Sequence, residues 1–410
     1  MNRPYDPGGL PAGTGTAAAG EPPGPLDRLR GPNAPKPLSA RAITAALETP
    51  ACARRATFET AGISMDTLAP ILGCAPGEQA QHAFARGNRF EEHVMADGAA
   101  ELLALLRAHL GLPVTAARVI DLSARAVRSS TDSMTDLNRT RVRLTRNHLR
   151  NMLTGAEGAP TLLRHAMTTL DHGGRTAYLE QDALAMIING AIVIIEVKSF
   201  PQLDGRADPA KADSARRQSA VYAQSLIDTV TALGFDPSVV SMSSLLVLPT
   251  NFSLAPTAYV VDLTRHVSRL RRQLATRPTA NDLAALVPAG VSLPALPSYV
   301  STTDPARRAA NDAALAAALP AVTTAFTALQ PTLSDACMSC PAFTFCRDEA
   351  ARSGAVASLG GAVKGACGSV TSIAMALALA DGSRTPDNDT EIALAEHLAR
   401  AIATRNRRVS

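Results

Sequence analysis

Three stretches of the chain carry residues whose types and spacing can do chemistry. The first is TAYLEQDALAMIINGAIVIIEVKSF, in which Asp182 precedes Glu196, Val197 and Lys198. Strand side chains alternate between faces, so Glu196 and Lys198 point the same way. Two carboxylates and an ammonium at the end of an apolar strand are costly to bury without a task. Hard oxygen donors of this kind suit Mg²⁺ or Mn²⁺, and a lysine can steady charge developing on a phosphate. The second stretch is a pair of helical segments. One carries Gly87, Glu91, Glu92 and His93, and the other carries Gln218 and Tyr222 on one helix face. The third is Cys337-x2-Cys340-x5-Cys346, which needs a fourth ligand, and Cys52 is the best candidate. Four thiolates suit an iron–sulfur cluster or tetrahedral zinc. A ligand set split between two ends of a chain is unlike a compact zinc ribbon, which favours a 4Fe-4S cluster.

The elements that must position these groups are legible in outline. Asn189-Gly190 between two β-rich runs signals a hairpin. A strict two-residue loop would set Asp182 opposite Val197, facing away from Glu196. A three-residue loop, Ile188 to Gly190 with Gly190 left-handed, sets Asp182 directly opposite Glu196. The chemistry requires the second register. A helix is expected at about 210–233, strands in SMSSLLVLP and TAYVVDL, and an Arg-rich helix at 264–276. Upstream, helical patterns run from Ser39 to Pro50, from about 80 to 110, and from 135 to 170.

The chain has 410 residues and 46% hydrophobic content, enough for a real core, but only 3% aromatic residues. A net charge of +4 is compatible with a polyanionic partner. No run of about 18 apolar residues exists, and no secretory pattern opens the chain, so a cytoplasmic location with no membrane partner is expected. In that setting six cysteines point to metal ligation rather than disulfides. Cys74 and Cys367 have no motif and read as structural. Residues 1–37 are rich in Pro, Gly and Ala and read as a disordered leader. Residues 38–350 read as one elaborated domain, and 351–410 as a helical or flexible tail. No P-loop is present, so any motor would be a helicase or other subunit in trans.

The order Gly-x-x-x-Glu, Asp, Glu-x-Lys, Gln-x-x-x-Tyr resembles the RecB-like PD-(D/E)xK nucleases. With Cys52 before the core and Cys337, Cys340 and Cys346 after it, the chain is similar to their iron–sulfur subgroup, which includes AddB-type repair nucleases and CRISPR-adaptation nucleases. The resemblance covers about residues 40–350. It implies an α/β fold with a restriction-endonuclease-like core, a central mixed sheet flanked by helices, and extra helical segments. It implies a DNA nuclease, in particular an exonuclease acting on single strands or duplex ends, in repair, recombination or defence. Glu91, Asp182 and Glu196 match the family's metal ligands, Lys198 its catalytic lysine, and Gln218 and Tyr222 the substrate-facing helix. The four cysteines match a 4Fe-4S staple between chain ends, with zinc as the alternative. Many relatives have His where Glu91 stands, so His93 and Glu92 remain candidates for that ligand. A catalytically silent, structural subunit with the same fold is the alternative function. Two arginine groups, Arg141, Arg143, Arg146 and Arg150, and Arg269, Arg271 and Arg272, are candidates for phosphate contacts along a DNA path.

Overall fold

The computed structural model describes residues 24–74, 81–111, 118–128, 133–186, 190–251, 253–298, 302 and 304–409. A six-stranded mixed sheet forms the centre: β1 (Val119–Asp121), β2 (Leu162–Asp171), β3 (Thr176–Met186), β4 (Ile192–Val197), β5 (Ser243–Pro249) and β6 (Pro256–Asp262). The strands neighbour one another in chain order. β1 runs parallel to β2, and β4 parallel to β5; the other pairs are antiparallel. β4 is buried along its whole length, as an apolar strand covered on both faces must be.

Helices cover the sheet. α1 (Ala40–Glu48) and α2 (Ala53–Thr60) precede it. α3 (Gln81–Val94) and α4 (Ala96–Leu110) pack Phe90, Leu102 and Leu106 against Ala183, Ile195 and Leu245. α5 (Met134–Thr154) and α6 (Pro209–Ala232) bring Leu149, Ala223 and Leu226 onto Leu163, Leu184 and Ile194. α6 is also the crossover that a parallel β4–β5 pair requires. α7 (Thr264–Ala275) follows β6. α8 (Pro305–Thr327) and α9 (Phe343–Ser353) return to α2, where Phe58, Phe326, Cys337 and Cys346 share one core. The two ends of the domain therefore close on each other. None of the helices among the described residues is long and apolar enough to cross a membrane.

Three expectations are corrected. The helix expected to reach residue 170 ends at Thr154, because Gly155 caps it in the left-handed conformation with φ 64°. The following Leu162–Asp171 is β2, paired along its length with β3. The leader ends earlier than expected. Residues 1–23 lie outside the described residues, but Leu26 and Leu29 are buried, and the Asn33 amide donates to the Pro294 carbonyl at 2.8 Å. The stretch expected as one helix at 80–110 is two, broken by positive φ values at Asp97, Gly98 and Ala99. In the tail, α10 (Gly361–Cys367), α11 (Ile373–Ala380) and α12 (Asp389–Val409) gather around Val356, Cys367, Val370 and Leu379.

At the β2–β3 turn, His172 is fully buried, and neither ring nitrogen has a hydrogen-bond partner among the described residues. Burial, aided by the nearby Arg277 and Arg175 charges, pushes its pKa down to about 3. An unfolded histidine titrates near 6.5. Between those values the unfolded chain binds a proton that the folded chain refuses, so stability falls as pH drops from about 6.5 toward 3. The loss is at most about 5 kcal/mol. His172→Phe should flatten this limb of a stability–pH curve measured by thermal melts. An unchanged acid limb would show that the ring takes up its proton inside the fold.

Candidate active site

The β3–β4 ladder pairs Met186 with Ile192, Ala185 with Val193, and Ala183 with Ile195. Continued by one residue, it sets Asp182 opposite Glu196. This is the register that places both acids together, and Gly190 is left-handed with φ 75°. The remainder of the connection, residues 187–189, lies outside the described residues. The Val197 N–H donates to Asp182 Oδ2 at 2.7 Å, fixing one carboxylate against the next strand. Lys198 Nζ forms an ion pair with Glu196 Oε1. Apart from that lysine, neither Glu196 oxygen has a polar partner among the described residues, although the side chain is fully buried.

Helix α3 supplies Glu91. Its Oε1 lies 3.4 Å from His165 Nε2 and 3.8 Å from Arg164 Nη2. Burial raises the Glu91 pKa, and the Asp182 charge raises it further. His93 points elsewhere, toward Glu101 at 3.4 Å, and Glu92 is exposed. Glu91 is thus the acidic side chain of this helix that feels the strand acids. Asp182 is also held above its ordinary pKa, chiefly by burial. Burial pushes Glu196 up to about 7, partly opposed by Lys198 and reinforced by Asp182. Burial alone would lower the lysine, but Glu196 and Asp182 hold it raised.

On α6, the Tyr222 hydroxyl titrates well above its usual range, through burial and the charges of Glu196 and Asp182. It stays a neutral donor over the whole physiological range. Gln218 stands one turn earlier on the same helix, and its amide contacts Ser214 Oγ at 3.4 Å. The structure therefore brings Glu91, Asp182, Glu196, Lys198 and Tyr222 together, and leaves Gln218 turned to its own helix.

A further group of charged residues beside these acids carries no sequence motif. His165 has φ 52°, unusual for a residue with a side chain, at the one step where the β2–β3 pairing lapses opposite Asp182. Its Nδ1 meets Glu180 Oε1 at 3.0 Å. Arg141 meets Glu180 Oε2 at 2.7 Å and donates to the Leu122 and His165 carbonyls at 2.6 and 3.0 Å. Glu180 holds His165 above its usual pKa. The available signals were Arg164-His165 inside an apolar run, and Glu180 two residues before Asp182. Arg141, grouped with the phosphate-contacting arginines by sequence, is buried and turned inward instead.

At the domain's closure, Cys52 caps the start of α2, while Cys337, Cys340 and Cys346 lie around the start of α9. Arg54 Nη1 donates to Cys346 Sγ at 3.3 Å and is paired with Glu349. Burial pushes the Cys346 thiol up to about 12, eased by Arg54 and reinforced by Cys52 and Cys340. Cys337 Sγ is engaged by the Ser334 N–H at 3.3 Å. Among the described residues, no three His, Cys, Asp or Glu side chains are already arranged to hold a metal ion. The donor chemistry nonetheless suits two different groups: oxygen ligands at the strand acids, and sulfur ligands at the closure.

No protein-family description matches the chain, and no curated protein does. Among solved structures, one described as "Crystal structure of SSO0001" is 14% identical, covering 46% of this chain and 94% of that chain, with a TM-score of 0.18. A score that low does not establish a shared fold.

Glu196 gives a second pH limb, with the opposite sign to that of His172. Its folded pKa, about 7, lies above the ordinary value of 4.5, so the folded chain binds the extra proton. Stability of the metal-free protein should therefore fall as pH rises from about 4.5 to 7. Glu196→Gln should raise the melting temperature at neutral pH and remove that limb. Equal melting temperatures for the variant and wild type at pH 7 would show that Lys198 fully compensates the buried carboxylate.

Proposed function

We propose that this chain is a metal-dependent DNA nuclease of the RecB-like PD-(D/E)xK kind, with a 4Fe-4S cluster joining the ends of its domain. The observation that carries the reading is the position of Asp182 opposite Glu196, one step beyond the β3–β4 ladder, with Glu91 and Lys198 near them. Charged groups this buried rarely persist without a counter-ion. Glu91, Asp182 and Glu196 would hold the cation, and Glu196's otherwise unpartnered oxygens fit that task. Bound Mg²⁺ or Mn²⁺ supplies Lewis acidity and a water of lowered pKa.

The reaction is hydrolysis: water oxygen bonds to phosphorus as the bond to a sugar oxygen breaks. Lys198 places an ammonium beside the reacting phosphate and orients Glu196. Tyr222, neutral and facing the acids, can donate to a phosphate oxygen. Arg141 and Glu180 hold His165, which in turn faces Glu91. This fixes the helix carboxylate against the strand pair. Cys52, Cys337, Cys340 and Cys346 would hold the cluster. Arg54 lies ready to hydrogen-bond one of its sulfur ligands.

Lys198→Ala should lower cleavage of end-labelled single- and double-stranded DNA by at least about a hundredfold, the scale of losing one charge-stabilising group. The fragment ladder would separate cutting from ends and cutting within strands. Metal-independent cleavage, or cleavage unchanged in the variant, would sink the assignment. Absence of cleavage by cluster-loaded wild type would turn the reading to a structural subunit.

Cys52→Ser should lose the cluster's visible absorption and bound iron, and should melt at lower temperature. Mn²⁺ affinity at the acids should change little. A full complement of iron in that variant would remove Cys52 from the ligand set, and stoichiometric zinc without iron in the wild type would replace the cluster.

A further inference from the structure

Helix α5 presents a row of cations away from the core. Arg139, Arg143, Arg146 and Arg150 follow one another at spacings of four, three and four residues. At 100° per residue they fall within a band of about 60°, and the row is about 16 Å long. Together with Thr169 and Tyr178 they line an open groove of about 500 Å³, with no acidic residue in its wall. Arg143 and Arg150 are exposed, and the buried Arg146 Nε has no hydrogen-bond partner among the described residues. Only Arg139 has an ion-pair partner among the described residues, Asp136 at 3.7 Å. Elsewhere on this chain arginines are commonly paired: Arg54 with Glu349, Arg55 with Glu59, Arg141 with Glu180, Arg217 with Glu48. Arg143, Arg146 and Arg150 have no carboxylate paired with them among the described residues, and the desolvated Arg146 nitrogen carries a cost that a bound anion relieves.

The ligand's shape follows from the row. A single cation would suit a lone phosphate, but four in line suit a polyanion. A strand of duplex advances one phosphate per about 3.4 Å of helix axis and an extended single strand advances further, so the row spans at most about five phosphates. Tyr178 adds a half-buried ring on which a base can stack. Tyr178, Glu180 and Asp182 are alternate residues of β3, and Tyr178 lies about 13 Å along that strand from Asp182.

We propose that this groove is a phosphate track for a single nucleic-acid strand, leading along β3 to the candidate active site. The proposal rests on the nuclease reading for its purpose, but it is a statement about binding and is tested without cleavage. Fluorescence anisotropy of labelled oligo-dT would be read in EDTA, as a function of salt, with the full-length protein.

Arg143→Gln/Arg146→Gln/Arg150→Gln should weaken binding at least tenfold at low salt. The slope of log K against log salt should become shallower by about two, since each single-strand contact contributes about 0.7. Arg143→Glu, a change at an exposed position, should weaken binding in the same direction and guards against misfolding of the triple variant. Unchanged affinity and slope in both variants would overturn the track. Tighter binding of blunt duplex than of oligo-dT, lost equally in the variants, would overturn the single-strand assignment. Failure of the nuclease reading would appear instead as absent metal-dependent cleavage, with this binding measurement intact.

Discussion

Three carboxylates held close together, one of them fully buried, are the constraint around which the rest of the molecule is arranged. Asp182 raises the pKa of both Glu91 and Glu196, Glu91 adds to Glu196, and burial raises all three. Lys198 faces Glu196, while Arg164 and His165 face Glu91. Lys198 satisfies one Glu196 oxygen, and a backbone N–H satisfies one Asp182 oxygen. Glu196 nonetheless keeps a carboxylate with its solvation removed, which low-dielectric surroundings make costly. A fold selected only for stability would place apolar side chains here, as β4 does at every position before Glu196.

Opposing that cost is packing on both faces of the sheet. Phe90, Leu102 and Leu106 cover one side of β3 and β4, and α6 covers the other with alanine, leucine and valine. The small side chains of α6 let the helix lie close to the strands, and they bring Tyr222 within reach of the acids. The second support is the closure of the domain. The Arg54 guanidinium, stacked 4.4 Å over Phe326 and paired with Glu349, joins residues nearly three hundred positions apart. A long loop closed in this way costs only modestly more than a short one, because the entropy grows with the logarithm of its length.

The parts legible in the sequence were those governed by local pattern. The hairpin register followed from alternation, from Asn189-Gly190 and from the need to put two acids on one face. The helix carrying Gln218 and Tyr222, and the strands flanking it, showed in the periodicity of their apolar residues. What escaped depends on distant partners. Residues 162–171 contain Leu, Met, Thr and His in an order that suits either helix or strand, and only pairing with β3 decides it. Residues 24–37 look too poor in apolar groups to order themselves, yet Leu29 and Asn33 find partners near residue 293. His165, Glu180 and Arg141 form a network only after three separate elements meet, and no spacing rule encodes that.

Arg141 shows how one helix can serve both the interior and the surface. It lies two residues from Arg139 and from Arg143, and two residues turn a helix by about 200°. The same basic segment therefore sends one guanidinium inward, to Glu180 and the Leu122 and His165 carbonyls, and four outward. The inward group is desolvated and held by three acceptors, so it fixes the helix against β2. The outward groups retain solvent and mobility, with little cost to leaving them unpaired beyond the partly buried Arg146. Charge counted along the sequence treats the five alike. Helix geometry separates them into one anchor, which holds His165 beside Glu91, and one open row.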